Sequence, residues 1–274
     1  METLLDNSFN ISEMAVKRVK VAPEHKNRVF KNNTVSKAIA EGVIRYIQQN
    51  PGKIKSILGL GCGNGVMEIA YSLFGVPFVA GTDIDSTSIM HAIANAEVNG
   101  VEGRTDFRTG DMYHPFKGRR FNMGVHDASS VAHPVAKLTD WYPGEKNSGG
   151  ELGTETSEKA LDSLDELLEK DGVFFFPRVT LAAHDEIAVM ARRKYESRVV
   201  DIVDKYFPKR IMFANCLCDP ECEWVKNSKA DKRGGKMIPH PVLAELKNKG
   251  IIYYEQVGDI LVWYLHAQLI TAKS

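Results

Sequence analysis

The chain has 274 residues, 35 basic and 35 acidic side chains, and a formal net charge of zero at neutral pH. That balance disfavours a protein whose task is to coat nucleic acid, since such binding is driven by excess positive charge. Hydrophobic and charged fractions of 43% and 26% are those of an ordinary globular chain, long enough to bury a sizeable core in one large domain or two small ones.

No stretch approaches the roughly 20 apolar residues of a spanning helix, and Met1 to Asn10 lacks a basic region followed by an apolar run. The expectation is a cytoplasmic protein with no membrane partner. Of the four cysteines, Cys216, Cys218 and Cys222 crowd into a C-x-C-x3-C segment. No paired C-x2-C knuckle or spaced histidine pair accompanies them, so reduced thiols are expected and no metal.

Residues 1 to 34 are polar and carry the basic run Lys17, Arg18, Lys20, Lys26, Arg28 and Lys31, which reads as an arm or lid. Val35, Ile39, Val43, Ile44 and Ile47 then fall at helical spacing, and Asn50-Pro51-Gly52 breaks the helix. Ile54 to Leu60 is a short apolar run entering a glycine cluster, as a buried parallel strand would. A helix pattern through Ile69, Ala70, Leu73 and Phe74 follows, then a strand over Pro77 to Thr82 ending at Asp83 and Asp85. Ile89, Ala92, Ile93 and Ala96 share one helical face.

Strands are predicted near Thr105 to Arg108, leading to Gly110-Asp111-Met112, and over Phe121 to His126, leading to Asp127-Ala128-Ser129-Ser130. Residues 132 to 156 read as a long functional loop. Ser157 is the predicted cap of a helix carrying Ala160, Leu161, Leu164, Leu167 and Leu168, ended by Asp171-Gly172 before a strand over Val173 to Pro177. A helix over Asp185 to Tyr206, a strand over Ile211 to Cys216 and a last strand over Ile260 to Leu269 complete the order. Strands alternating with helices imply an α/β fold: a Rossmann-like, mostly parallel seven-stranded sheet with helices on both faces, formed by residues 35–274 as one domain with an N-terminal arm.

In such a sheet ligands bind outside the carboxyl ends of the strands. Gly59-Leu60-Gly61-Cys62-Gly63-Asn64-Gly65 falls where the first strand turns into its helix, so backbone can approach a ligand closely. Asp83 follows about 20 residues on, the spacing at which a carboxylate accepts from both hydroxyls of a ribose. A glycine loop with that acid points to a nucleoside, and a nicotinamide oxidoreductase would share the pattern. At Gly110-Asp111-Met112, Asp111 would accept from an adenine amine and Met112 would wall the ring.

Together Ile57 to Gly65, Gly81-Thr82-Asp83-Ile84-Asp85, Asn95 to Gly100 and Gly110-Asp111-Met112 make the chain resemble the class I S-adenosylmethionine-dependent methyltransferases over about residues 35 to 270. The resemblance implies S-adenosyl-L-methionine as cofactor. It implies that Gly61, Cys62, Gly63 and Asn64 line the methionine and ribose, that Asp83 and Ile84 hold ribose and adenine, and that Asp111 and Met112 hold adenine. It also implies an antiparallel strand near the carboxyl terminus, for which Ile260 to Leu269 is the candidate.

The chain departs from the family at two points. Gly59 stands where the family commonly has an acid that serves the cofactor's amino group. Gly149-Gly150-Glu151-Leu152-Gly153 resembles enzymes that methylate glutamine or nucleobase nitrogens, yet their Asn-Pro-Pro-Tyr is here Asp127-Ala128-Ser129-Ser130. With the planar-nitrogen motif absent and the charge neutral, the expectation is a methyltransferase acting on a small-molecule substrate, with no nucleic-acid partner. Asp127 is expected, with Ala128, to contact the cofactor amino group or to act as base, near Ser129, Ser130 and His133. Ser130 and Tyr142 complete the expected catalytic set, with Trp141 and Tyr142 in the loop and Phe9 and Phe30 in the arm closing over the site, and Arg178 and Thr180 meeting a substrate carboxylate.

Asp127 to Ala136, Trp141 to Gly144 and Phe174 to Leu181 are also similar to azetidine-2-carboxylate synthases, which implies as an alternative a cyclase that consumes the cofactor and releases methylthioadenosine. A cofactor-binding module without chemistry is the remaining alternative. The zero net charge divides unevenly: residues 17 to 37 carry seven bases against one acid, and residues 145 to 171 nine acids against three bases.

Overall fold

A computed structural model describes residues 9–10, 18–19, 34–139, 149–202, 210–212, 239–257 and 260–272. Four parallel strands form the centre: the largely apolar β1 (Ser56–Leu60), β2 (Phe78–Asp83) and β4 (Phe121–His126), and the more polar β3 (Thr105–Thr109). They are followed by β5 (Leu168–Val179), β6 (Val199–Asp201), β7 (Arg210–Met212), β8 (Glu255–Val257) and β9 (Ile260–Thr271). A path of seven strands runs β8-β9-β5-β4-β1-β2-β3, and β6 and β7 also pair with β9. β9 is antiparallel to β5 through Leu265↔Val179 to Thr271↔Val173, as its terminal position implies. The sheet is the expected α/β, mostly parallel one, and β6, β7 and β8 pair successive stretches of β9.

The helices follow the strands. α1 (Thr34–Gln49), α2 (Val66–Leu73) and α3 (Ser86–Val98) precede or connect β1 to β3. The short turn α4 (His133–Ala136), α5 (Glu155–Asp162) and α6 (Leu164–Leu167) lie between β4 and β5, and α7 (His184–Tyr195) and α8 (Pro241–Asn248) come later. Alternate strand residues serve two cores. Ile57, Val79, Met123 and Phe175 join α1, α2, α3 and α8 on one face, while Leu58, Ala80, Phe174 and Phe176 join α5, α6 and α7 on the other. Phe174, Phe175 and Phe176 are fully buried, so each contributes about 1.5–3 kcal/mol to cohesion of the layers.

Four sequence expectations need correction. α5 begins at Glu155 behind Thr154, and Ser157 is buried inside it rather than capping it. Asp171-Gly172 lies within β5, where the pairing with β4 slips between Phe121 and Met123; Asp171 takes a left-handed φ of 60°, which the sequence presents as a helix stop. α7 ends at Tyr195, because Glu196 has φ 47° and the chain turns into β6 instead of continuing to Tyr206. The loop after β4 contains α4 at its start.

Of the expected arm, Phe9–Asn10 pairs antiparallel with Arg18–Val19, and the latter runs against α2. The rest of the basic run, Trp141, Tyr142, Cys216, Cys218 and Cys222 lie outside the described residues. No helix among the described residues is long and apolar enough to cross a membrane.

Candidate functional site

The strand order turns between β1 and β4: β2 and β3 extend to one side of β1, and β4 and β5 to the other. At such a switch point the loops after neighbouring strands diverge and leave a crevice at the carboxyl ends. The loop after β1 is held in place by backbone. Gly61 and Cys62 N–H both donate to Thr82 O at 2.9 Å, and Gly65 N–H donates to Cys62 O at 2.9 Å.

The glycines differ in what they permit. At Gly61, φ 79°, an added Cβ would lie 2.4 Å from Ala128 Cα, so a side chain there would separate the loops after β1 and β4. Gly63, φ 52°, faces open space, with nothing within 4 Å of such a Cβ. The first position lets the two loops meet and the second leaves open space beside it. Asn64 is buried, with its carbonyl held by Asn95 Nδ2 at 3.0 Å, and the Cys62 thiol is buried, its pKa pushed well up by desolvation and then by Glu68 and Asp83.

Asp83 ties β2 to this loop. Its Oδ2 accepts from Gly63 N–H and its Oδ1 from Asp85 N–H, each at 2.9 Å. Burial raises its pKa, and those backbone N–H groups counter the rise. A carboxylate oxygen has about two acceptor directions, so each oxygen keeps one for a hydroxyl. Asp85 in turn caps α3 through Thr87 and Ser88 N–H at 3.1 and 3.0 Å, and Ile84 between them is 56% exposed, an apolar surface beside the crevice.

At the end of β4, Asp127 N–H donates to Leu60 O at 2.9 Å, and Asp127 Oδ2 accepts from Ser36 Oγ of α1 at 3.0 Å. Burial lifts Asp127 to about 7, against the lowering effect of the Ser36 hydroxyl, with Asp83 adding to the rise. His126 before it is buried, edge-on to Phe176 at 5.5 Å, and desolvation lowers its pKa to about 4, so it is neutral. Ser129 O accepts from Thr156 Oγ1 at 2.6 Å, and Ser130 is partly exposed.

The expected residues are therefore only partly assembled. Gly61, Cys62, Gly63, Asn64, Asp83, Ile84, Asp127 and Ala128 gather at the neighbouring ends of β1, β2 and β4. Asp111, from the loop after β3, instead pairs with Lys159 of α5 at 2.8 Å, and Met112 is 7% exposed inside the second core at φ 47°. Arg178 and Thr180 instead tie the end of β5 to α7 and β9. Arg178 donates to His184 O at 3.0 Å, and the Thr180 hydroxyl accepts from Tyr264 N–H at 2.9 Å. Sequence reasoning missed Ser36, 91 residues from its partner, and Glu68. The signal for Glu68 was one acid inside the apolar run Val66, Met67, Ile69, Ala70, Tyr71.

Known proteins are similar to this chain in sequence and in fold. The chain is similar to the class I S-adenosylmethionine-dependent methyltransferase superfamily over part of its length. Within it, residues 39–154 match the family model of ribosomal protein L11 methyltransferase (PrmA). The ribosomal protein L11 methyltransferase of Idiomarina loihiensis is 31% identical over 109 residues, 40% of this chain and 36% of that protein. The one from Caldanaerobacter subterraneus is 27% identical over 146 residues, 53% and 44% respectively. The chain thus spans less than half the length of these curated relatives. The YcgJ protein of Bacillus subtilis has the same fold, with a TM-score of 0.51 at 13% identity over 86% of this chain and 98% of that one.

These names correct the expected acceptor. The relatives are named for a protein substrate, a ribosomal protein, and not for a small molecule. The error has a chemical origin. Absence of Asn-Pro-Pro-Tyr bears on planar nitrogens alone, and a neutral total charge disfavours a polyanion without selecting between a small molecule and a protein.

Proposed function

We propose that the chain is an S-adenosyl-L-methionine-dependent methyltransferase that acts on a protein, with ribosomal protein L11 the first acceptor to test. The observation that carries the reading is Asp83 joined to Gly63 N–H across two strand ends, beside open space at Gly63. A ribose whose hydroxyls meet the free sides of Asp83 would lie over Gly63, its base against Ile84 and its tail toward Asp127.

When bound, the cofactor supplies an activated methyl group on a sulfonium. The residues need then only bind, orient and exclude water, since aligning the acceptor can lower the barrier by several kcal/mol. Asp83 would fix the ribose, the backbone from Gly61 to Asn64 the floor, and Asp127 with Ala128 the far wall. Ser130 and Tyr142 would flank the acceptor, and residues 1–34 would act as an arm beside the catalytic unit of residues 35–274. A cytoplasmic location goes with this reading, because ribosomes are the setting of the named acceptor.

The test is incubation of the protein with S-adenosylmethionine and purified L11. Methylated L11 with stoichiometric S-adenosylhomocysteine is expected. Release of methylthioadenosine, or unmodified L11 with the cofactor intact, would count against the reading.

A further inference from the structure

Among the described residues, Glu68 is an interior acid for which the fold supplies no counter-charge. It lies in the first turn of α2, fully buried, and neither carboxyl oxygen has a hydrogen-bond partner in another residue. Burial raises its pKa to about 8; its own backbone N–H opposes this, while Asp127 and Asp83 add to it. For Asp127 likewise, the opposing influence is the Ser36 hydroxyl and not a cation. Asp127 and Asp83 thus both raise the pKa of Glu68, and Asp83 raises that of Asp127. An unpaired charge in an interior is costly, and an arriving cation removes that cost.

The shape of the site explains why the acid is on a helix. A Cβ placed on Gly59 would stand 1.9 Å from Glu68 Oε1 and 2.8 Å from its Cδ. Glu68 therefore fills, from α2, the volume that a side chain on Gly59 of β1 would take. Position 59 is on the first-core face of the strand, directly beneath the turn at Gly61, and Asp127 is anchored to the adjacent Leu60 carbonyl. With glycine at 59 the Glu68 carboxyl has room there, and the acid comes from α2 instead of from the strand.

We propose that Glu68 stands in for an acid at position 59 and forms, with Asp127, the ammonium-binding end of the site, positioning the amine-bearing tail of the nucleoside held by Asp83. Glu68 acts from behind Gly59 and is a positioning residue, whereas Asp127 is partly exposed at the end of β4. The inference rests on the cofactor reading above and adds a residue and a ligand group to it. It also fixes which part of the ligand Glu68 senses: the amino acid tail, not the nucleoside.

The experiment is calorimetric titration of wild type, Glu68→Gln and Glu68→Ala/Gly59→Asp with S-adenosylhomocysteine, which carries the ammonium, and with methylthioadenosine, which lacks it. Wild type is expected to prefer S-adenosylhomocysteine, and Glu68→Gln to lose about tenfold of that affinity, the scale of one charged hydrogen bond, with methylthioadenosine binding unchanged. The double variant, with its acid returned to the strand, is expected to regain the preference. Unchanged methylthioadenosine affinity also verifies that each variant is folded at the site.

A Glu68→Gln protein with the wild-type ratio of the two affinities would overturn the proposal, as would a double variant with no more preference than Glu68→Gln. Wild type binding both ligands equally would overturn it while leaving the nucleoside reading intact. Wild type binding neither would overturn both.

Discussion

The strand ends on the two sides of the sheet carry similar polar residues and differ in how fully those residues are engaged. At the end of β5, Thr180 uses its N–H, carbonyl and hydroxyl to bind Tyr264 and Tyr253, and Arg178 is drawn to His184 O. At the ends of β1, β2 and β4, Asp83 accepts one N–H on each oxygen, Asp127 accepts one hydroxyl, and Glu68 accepts from no other residue. Both regions lie on the same scaffold. What separates them is the kind of capacity left unused, carboxyl acceptors at β1, β2 and β4 against the Arg178 Nε donor at β5, and in an interior each is costly until a partner is supplied.

The largest effect that would sharpen this contrast is expected from Gly61→Ala. Its methyl would meet the Ala128 backbone at 2.4 Å with φ at 79°, so about 3 kcal/mol of stability should be lost along with cofactor binding, as read by urea unfolding and calorimetry. Asp83→Asn removes charge from the ribose contact and should weaken S-adenosylhomocysteine binding by about 10- to 100-fold, at one to two charged hydrogen bonds. On the other side, Thr180→Val should leave affinity unchanged. It strips the Tyr264 N–H of its acceptor and should cost about 1–3 kcal/mol of stability. Lys159→Ala, which breaks the exposed pair with Asp111, should change stability by less than about 1 kcal/mol.

The pH dependence of stability bears on the same comparison. Glu68 and Asp127 have folded pKa values of about 8 and about 7, above ordinary values of 4.5 and 3.8, so the folded state holds protons that the unfolded state has released. Their contribution is fully present below those ordinary values and is lost as pH rises through about 7 and about 8. His126 works oppositely: lowered from 6.5 to about 4, it makes stability fall as pH drops through that interval. The ligand-free protein should therefore unfold at lower urea at about pH 8.5 than at about pH 6.5, and Glu68→Gln should flatten that slope.

Sequence patterns revealed the parallel centre of the fold well because short apolar runs there end in glycine or aspartate. β4 has the expected bounds, and Asp85 and Gly61 mark turns whose geometry demands them. The misread elements lie where tertiary context overrides local signals. Asp171-Gly172 reads as a helix stop but forms a slip in β5, and no local pattern tells a helix running to Tyr206 from one that Glu196 ends. At the site, Asp83 and the glycine loop are visible as a spacing. The Ser36 to Asp127 bond is not, since no periodicity links α1 to the end of β4. Glu68 hides behind Gly59: the sequence presents the loss of an acid in β1 and the gain of one in α2 as unrelated events.

The account stands most directly on calorimetry of the wild-type and Asp83→Asn proteins with S-adenosylmethionine and with NAD. Saturable binding of S-adenosylmethionine alone, weakened in Asp83→Asn, is the predicted result. Binding of NAD in preference, or S-adenosylmethionine binding indifferent to Asp83, would contradict it.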